Sequence, residues 1–201
     1  MLSLNASTFS KSFLILVGCV VLVSGCGINK IPTLDEEVKA SWGQVENQYQ
    51  RRADLVPNLV NTVKGYAAHE TETLQAVTEA RANVGKLEIT SDSISNPAML
   101  QQFEKAQSAL SSALSRLMVV VERYPDLKAN QNFLELQAQL EGTENRISVA
   151  RRDYIESVKA FNTHIRTFPG KIWHSMFFSD LALKETFEAT EGAEEAPTVE
   201  F

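Results

Sequence analysis

The fold of this chain is decided by the stretch from Asp35 to Tyr66, which reads DEEVKASWGQVENQYQRRADLVPNLVNTVKGY. Its large apolar residues recur every three or four positions, a spacing that predicts one buried face of an α-helix and is close to a heptad repeat. The same phase continues to Val84, with one slot filled by Arg52 or Ala53 and another by Glu70. The residues of this stripe are Val38, Trp42, Val45, Tyr49, Val56, Leu59, Val63, Tyr66, Leu74, Val77 and Val84.

This stripe predicts a first helix of about fifty residues, which would be about 75 Å long at 1.5 Å per residue. Thr33 or Asp35 can cap its start, and Gly85 suits its end. Pro57 removes one backbone hydrogen bond, so we expect a kink or a break there. The apolar phase passes Pro57 unchanged, which favours the kink.

A second helix is predicted after the polar connector at residues 86–96. Asn96 can cap its start, and Pro97 suits the first helical position because the missing amide hydrogen would have no partner there. An apolar face then runs from Leu100 to Tyr124, and Pro125 stops the helix. Residues 125–130 are expected to form a loop.

A third helix is predicted to begin near Asn130 or Asn132 and to end before Pro169 and Gly170. Gly142 lies inside it, and a glycine at such a position predicts a close approach by another helix. The apolar segment 171–178 follows, and it predicts one or two helical turns at the end of the bundle.

Amphipathic stripes of this kind can bury a core only against one another. The sequence therefore predicts an all-α fold, an elongated antiparallel bundle of three long helices plus a short C-terminal helical element. We expect a lipoprotein-type signal peptide at 1–25, a tether at 26–34, the bundle at 35–187 and a disordered acidic tail at 188–201. That tail contains five glutamates and neither Lys nor Arg.

The N-terminal segment predicts a membrane anchor. Lys11 precedes eleven apolar or small residues from Phe13 to Val23, too few for a typical membrane-spanning helix but suited to a signal peptide. The next residues, Ser-Gly-Cys26, look like a bacterial lipobox, which predicts that the thiol of Cys26 carries a diacylglycerol. The alternative is an uncleaved transmembrane anchor. Cys19 lies within the apolar run and is assigned no chemistry.

Composition excludes several classes of protein. The chain has 201 residues, of which 44% are hydrophobic, so wholesale disorder is excluded. A net charge of −6 argues against a nucleic-acid-binding protein. Two cysteines, both near the N-terminus, exclude a disulfide-stapled domain and a cysteine-based zinc site.

No pattern of catalytic residues is evident, and we expect a protein that is not an enzyme and holds neither cofactor nor metal. His69-Glu70 begins like a zinc-protease motif, but Thr73 stands where the second histidine would be needed. His164 and His174 follow no ligand spacing that we recognise, and no phosphate-binding loop or nucleophile elbow occurs.

The densest polar signal is a set of four residues on the predicted first helix. Asn47, Arg51, Asp54 and Asn58 are spaced by four, three and four positions and so share one face. One interpretation is a solvated face with an Arg51–Asp54 pair, and the other is a protein-binding face.

Two arginines fall near the apolar phase of their helices. Arg52 and Arg151 predict a partly buried ion network with Glu122 or Glu144, which would fix the register of the helices more than it would stabilise them. Glu144 and Arg151, together with Arg152, form a polar centre on the third helix.

Several long strings strongly resemble the LemA family. They are residues 47–60, 62–70, 124–133, 136–147 and 150–154, and the resemblance covers residues 28–187. Ile155 and Phe161 depart from it, since the family often has Asn and Tyr there. Many members of the family begin with an uncleaved transmembrane segment, so the resemblance does not itself support lipidation of Cys26.

The resemblance implies a membrane-anchored helical bundle that faces outward and has no established enzymatic activity or catalytic residues. Some members are associated with membrane proteases or other envelope proteins, and one branch with magnetosome membranes. The leading hypothesis is therefore a membrane-tethered scaffold or adaptor of the bacterial cell envelope, on the periplasmic or extracellular side. Its expected partners are the membrane, other envelope proteins and a second copy of itself, but no nucleic acid. The alternative is a membrane-remodelling or lipid-interacting helical protein, against which the acidic balance counts.

Overall fold

The computed structural model describes residues 27–87 and 93–187, and this part of the chain is helical and contains no strand. A short 3₁₀ turn at Ser93–Ser95 precedes the helix that begins at Pro97. The α-helices are α1 (Lys30–Lys64), α2 (Thr71–Val84), α3 (Pro97–Val121), α4 (Pro125–Lys128), α5 (Gln131–Arg166) and α6 (Gly170–Phe177). The expected all-α bundle is confirmed, with α1, α3 and α5 as its long helices and α6 as the short C-terminal element.

Helix α1 begins earlier than the sequence predicted. It starts at Lys30, so Thr33 and Asp35 lie within the helix and cap nothing. The apolar spacing extends back to Ile31 and Leu34, which are 0% and 4% exposed. Residues 30–34 were expected to form part of a tether. They are instead the first turn of α1, because burying these two side chains favours the helix.

Helix α1 continues past Pro57 without a break, because a side chain replaces the missing donor. The amide of residue 57 in a regular helix would bind the carbonyl oxygen of Ala53. In this chain Arg81 Nε donates to that oxygen at 2.8 Å. Arg81 belongs to α2, so the hydrogen bond that rescues the carbonyl also joins α2 to α1.

The predicted fifty-residue helix is wrong at residues 65–70, where the chain reverses. Gly65 and Ala67 donate to the last carbonyls of α1, and α2 then runs back along α1 with Arg81 beside Ala53. Glu70, which occupied an apolar slot in the sequence pattern, accepts hydrogen bonds from Arg123 and Tyr124 at 2.9 Å. The hairpin buries α2 against α1 and α3, whereas one continuous helix would leave its apolar stripe exposed.

The predicted cap of α3 is confirmed, and α5 begins at Gln131, next to Asn130, one of the two residues near which its start was predicted. The side chain of Asn96 accepts from the amides of residues 98 and 99, and Pro97 occupies the first helical turn. Asn130 caps α5 by accepting from the amide of Phe133 at 3.1 Å. The expected loop at 125–130 contains one helical turn, α4, because Pro125 suits a first helical position. Gly142 marks no helix contact, since the nearest atom to an added Cβ is Arg146 Nη1 of its own helix.

The core has two parts. The first core surrounds Trp42 near the start of α1, beyond the end of α2. The second core joins α1, α2, α3 and α5 around Val56, Leu59, Leu110 and Leu117. In the first core the irregular segment 178–187 packs where a fourth helix would otherwise lie. Phe187 stacks on Trp42 with ring centroids 5.9 Å apart.

Loss of the Arg81 side chain should destabilise the protein, because it leaves the backbone oxygen of Ala53 without a donor. We expect Arg81→Ala to lower the free energy of unfolding by about 1.5 kcal/mol, the lower end for a hydrogen bond to a charged group. In a Pro57→Ala background the backbone amide is restored, so the same substitution should cost less. Urea denaturation of the parent, the two single variants and the double variant measures the coupling between positions 57 and 81. If Arg81→Ala costs the same stability with Pro57 as with Ala at position 57, this account of Pro57 is refuted.

Candidate functional site: an exposed polar face and the polar layer behind it

The structure places the predicted polar face on the outer side of α1. Asn47, Arg51, Asp54 and Asn58 are all exposed, while four of the eight residues between them are buried. Their role in binding stays a prediction. Because α1 is held by both cores, the face has a rigid backbone, and side chains on such a helix are positioned more precisely than those on a loop.

The side chains of this face make few contacts with the rest of the protein. Asp54 accepts a hydrogen bond from Gln50 Nε2 at 2.9 Å, and in the described part of the chain it does not pair with Arg51 as one interpretation expected. The i,i+4 spacing of Gln50 and Asp54 allows this bond within one turn. The guanidinium group of Arg51 therefore faces solvent and can donate to a partner.

Directly behind this face, Arg52 forms the centre of a polar layer between the two cores. It is 1% exposed. Its Nη1 atom donates to Ser111 Oγ and to Glu144 Oε1, both at 2.8 Å. Its Nη2 atom donates to both the backbone oxygen and the side-chain oxygen of Gln107. One guanidinium group therefore joins α1 to α3 and to α5.

Arg151 extends the layer towards the first core. Its guanidinium group lies 3.3 Å from Glu104 Oε1, donates to Tyr49 Oη at 3.3 Å and covers the ring of Phe187 at 4.2 Å. The predicted network is thus present in altered form. Glu144 pairs with Arg52, whereas Glu104 takes the place expected for a partner of Arg151.

Two residues that the sequence placed near this network lie outside it. Glu122 falls just past the end of α3 and pairs with Lys128 of α4. Arg152 points to solvent, and it pairs with the adjacent Asp153 at 3.1 Å. Neither could be excluded from sequence, because the pairing depends on how far α3 extends and on its register against α5.

An open groove of about 1410 Å³, lined mostly by residues with polar side chains, runs between α3 and α5, with Tyr49 and Arg52 at its floor. The carboxylates nearest the floor, Glu104 and Glu144, are each paired with an arginine. Paired carboxylates and guanidinium groups hold helices in register, and this is the chemistry that the groove displays. Within residues 27–87 and 93–187, no three His, Cys, Asp or Glu side chains are grouped so as to hold a metal ion.

A second exposed region lies at the end of the bundle where α1 begins. Cys26, the predicted lipid site, is outside the described residues, as are the predicted signal peptide and acidic tail. Gly27 is described, and a Cβ added there would lie 3.5 Å from Trp173 Nε1 of α6. None of the described helices has the length and apolar character needed to cross a bilayer.

Most of the bundle lies within a region that is similar to known proteins. The sequence model of the LemA family matches residues 41–201. Protein LemA of Metamycoplasma hominis is 24% identical over 160 residues, which are 80% of this chain and 69% of that protein. Magnetosome proteins MamQ 1 and MamQ 2 of Paramagnetospirillum magneticum are each 26% identical over 172 residues. That match covers 75% of this chain, which spans 60% of the length of either magnetosome protein.

Proposed function

The chain belongs to the LemA family, and we propose that it is a membrane-tethered scaffold of the bacterial cell envelope without enzymatic activity. It binds another envelope protein through the polar face of α1. The apolar run before Cys26 supports the tether, with Cys26 as the site of lipid attachment. Two of the relatives are named as magnetosome proteins, which is compatible with a role at a membrane-bounded structure.

The observation that carries the proposal is the exposure of four polar side chains on one rigid face. Asn47 and Asn58 are eleven residues apart, so the face is about 17 Å long. Its groups offer donors and acceptors of both charge signs, and the underlying helix is fixed by Arg52 and by the two cores. A partner would therefore meet a preformed surface and bind without ordering a loop.

The paired charges of the polar layer support a role without catalysis. Glu104 and Glu144 are committed to Arg151 and Arg52, and these pairs bridge three helices. A general base needs a carboxylate that can accept a proton from a substrate within hydrogen-bond reach. Carboxylates held by guanidinium groups are better suited to holding α3 and α5 beside α1.

Site-specific photocrosslinking in cells tests the proposed face. A photoreactive residue in place of Arg51 should give an adduct with one defined envelope protein. The matched control is Arg146, which has the same side chain and is also exposed but lies on α5. The adduct should be absent at position 146. No adduct at position 51, or equal adducts at both positions, would contradict the proposal.

A further inference from the structure

The end of the bundle near α6 displays an unusual concentration of exposed apolar side chains. Of the ten large hydrophobic residues that are exposed in the described part of the chain, five fall between residues 168 and 183. We define the α6 patch as four of them: Phe168 (82% exposed), Ile172 (45%), Met176 (64%) and Phe177 (56%). Contiguous apolar side chains on a protein surface mark a contact with another protein or with lipid.

The position of Gly27 favours lipid over another protein as the occupant of the α6 patch. Gly27 lies beside Trp173 and Pro169, so the chain enters the bundle next to the α6 patch. The apolar run of the sequence ends at Val23, and four residues of extended chain span at most about 14 Å. Whichever form the anchor takes, it therefore holds the α6 patch close to the surface of the bilayer.

Local charge agrees with lipid as the occupant. Lys30, Arg166 and Lys171 are exposed near this end of the bundle, and residues 166–179 contain no Asp or Glu. The chain as a whole carries a net charge of −6, whereas the charged residues of the segment 166–179, Arg166 and Lys171, are both basic. Basic side chains at the membrane surface are attracted to anionic headgroups by about 1 kcal/mol each. Trp173 is half-buried, and tryptophan is enriched at the membrane interface.

We propose that the α6 patch rests in the headgroup region of the membrane that tethers the chain, and that this contact fixes the bundle at a defined angle to the bilayer. The proposal rests on the tether of the proposed function. Helix α6 has eight residues, and so small a contact orients a tethered protein but does not anchor it. Along α1 from Lys30, the face at Asn47–Asn58 begins at about 25 Å and ends at about 42 Å, and this distance sets its height above the membrane when α1 stands upright. A partner must reach that height.

Quenching of tryptophan fluorescence by brominated lipid tests this contact in the full chain. The two tryptophans differ in the required way, since Trp42 is 0% exposed in the first core and Trp173 adjoins the α6 patch. The protein is reconstituted into phosphatidylcholine vesicles that contain a minor share of phosphatidylglycerol, with or without bromine on the acyl chains. Brominated lipid should quench the emission of Trp173, which is the part of the parent's emission that Trp173→Phe lacks. It should not quench the emission of Trp42, which is all that remains in Trp173→Phe.

A double variant, Phe168→Ser with Met176→Ser, separates the contact from the tether. Both side chains are exposed, so the fold should persist, and the variant should float with the vesicles while losing the quenching. A parent protein that floats but shows no quenching of Trp173 would overturn the contact and leave the tether standing. A parent that does not float would overturn both. Self-association that protects Trp173 from quenching and is lost in the double variant would identify a second copy as the occupant and overturn the lipid contact.

Discussion

Asp35→Asn is expected to lower the free energy of unfolding by about 3–5 kcal/mol, the range for a buried ion pair that loses one partner. The carboxylate of Asp35 lies 2.9 Å from Lys184 Nζ, and these side chains are 5% and 7% exposed. Lys184 belongs to the segment that closes the first core, where it also covers the ring of Phe161. Without Asp35, its ammonium group would be buried with no opposite charge beside it.

Lys184→Met is the matched control, and it should cost less than Asp35→Asn. Asp35 would keep Lys39, whose Nζ atom also lies 2.9 Å away and is partly exposed to water. The methionine side chain would occupy much of the volume of the lysine stem. Urea denaturation at neutral pH, followed by circular dichroism, gives both values. Equal costs, or the reverse order, would show that the pair does not fix the C-terminal segment in this way.

The same pair predicts a dependence of stability on pH. Burial would raise the pKa of Asp35, but hydrogen bonds from Lys184 and Lys39 outweigh it, and the pKa lies below its ordinary value. A carboxyl whose pKa is lowered on folding stabilises the protein fully above the ordinary value of about 3.9 and loses that contribution as the pH falls. The stability difference between the parent and Asp35→Asn should therefore shrink below about pH 4.

Local chemistry explains which parts of the fold could be predicted from sequence. Asn96 and Asn130 accept hydrogen bonds from amides in the next helical turn, and Pro97 lacks the amide hydrogen that would have no partner there. These effects depend on neighbours in the chain alone. The reversal at 65–70 could not be predicted, because the apolar phase continues through it. It depends on contacts distant in sequence, such as Arg81 with Ala53 and Glu70 with Tyr124.

The candidate site was predictable to a similar degree. The spacing of Asn47, Arg51, Asp54 and Asn58 placed them on one face, and the phase of Arg52 indicated that it is buried. The acidic partners of Arg52 and Arg151 could not be predicted. Glu104 lies on α3, Glu122 just past its end and Glu144 on α5, and the sequence does not give the register between these helices. Phe187 and Lys184 were missed for another reason, since they pack from an irregular segment without periodicity.

Arg52→Met is expected to lower the free energy of unfolding by about 2–4 kcal/mol. The methionine side chain fills most of the volume left by the apolar part of the arginine side chain. The main cost is therefore the loss of the donors to both oxygens of Gln107 and to Ser111 Oγ. Glu144 contributes less, because its side chain is 47% exposed and water can solvate it. Urea denaturation checks this value. A change below about 0.5 kcal/mol, ordinary for a surface substitution, would mean that the layer is not a structural unit.

Adding Gln107→Leu to Arg52→Met separates stability from the positioning of the helices. An apolar pair of similar volume leaves fewer buried acceptors unpaired, so the double variant should recover most of the loss. If the polar layer sets the register of α1 against α3 and α5, recovered stability will not restore the surface in front of it. Crosslinking from position 51 should then stay weaker than in the parent although the melting temperature is similar. Full recovery of both would show that the two cores alone hold the face of α1, and that Arg52 adds nothing to its positioning.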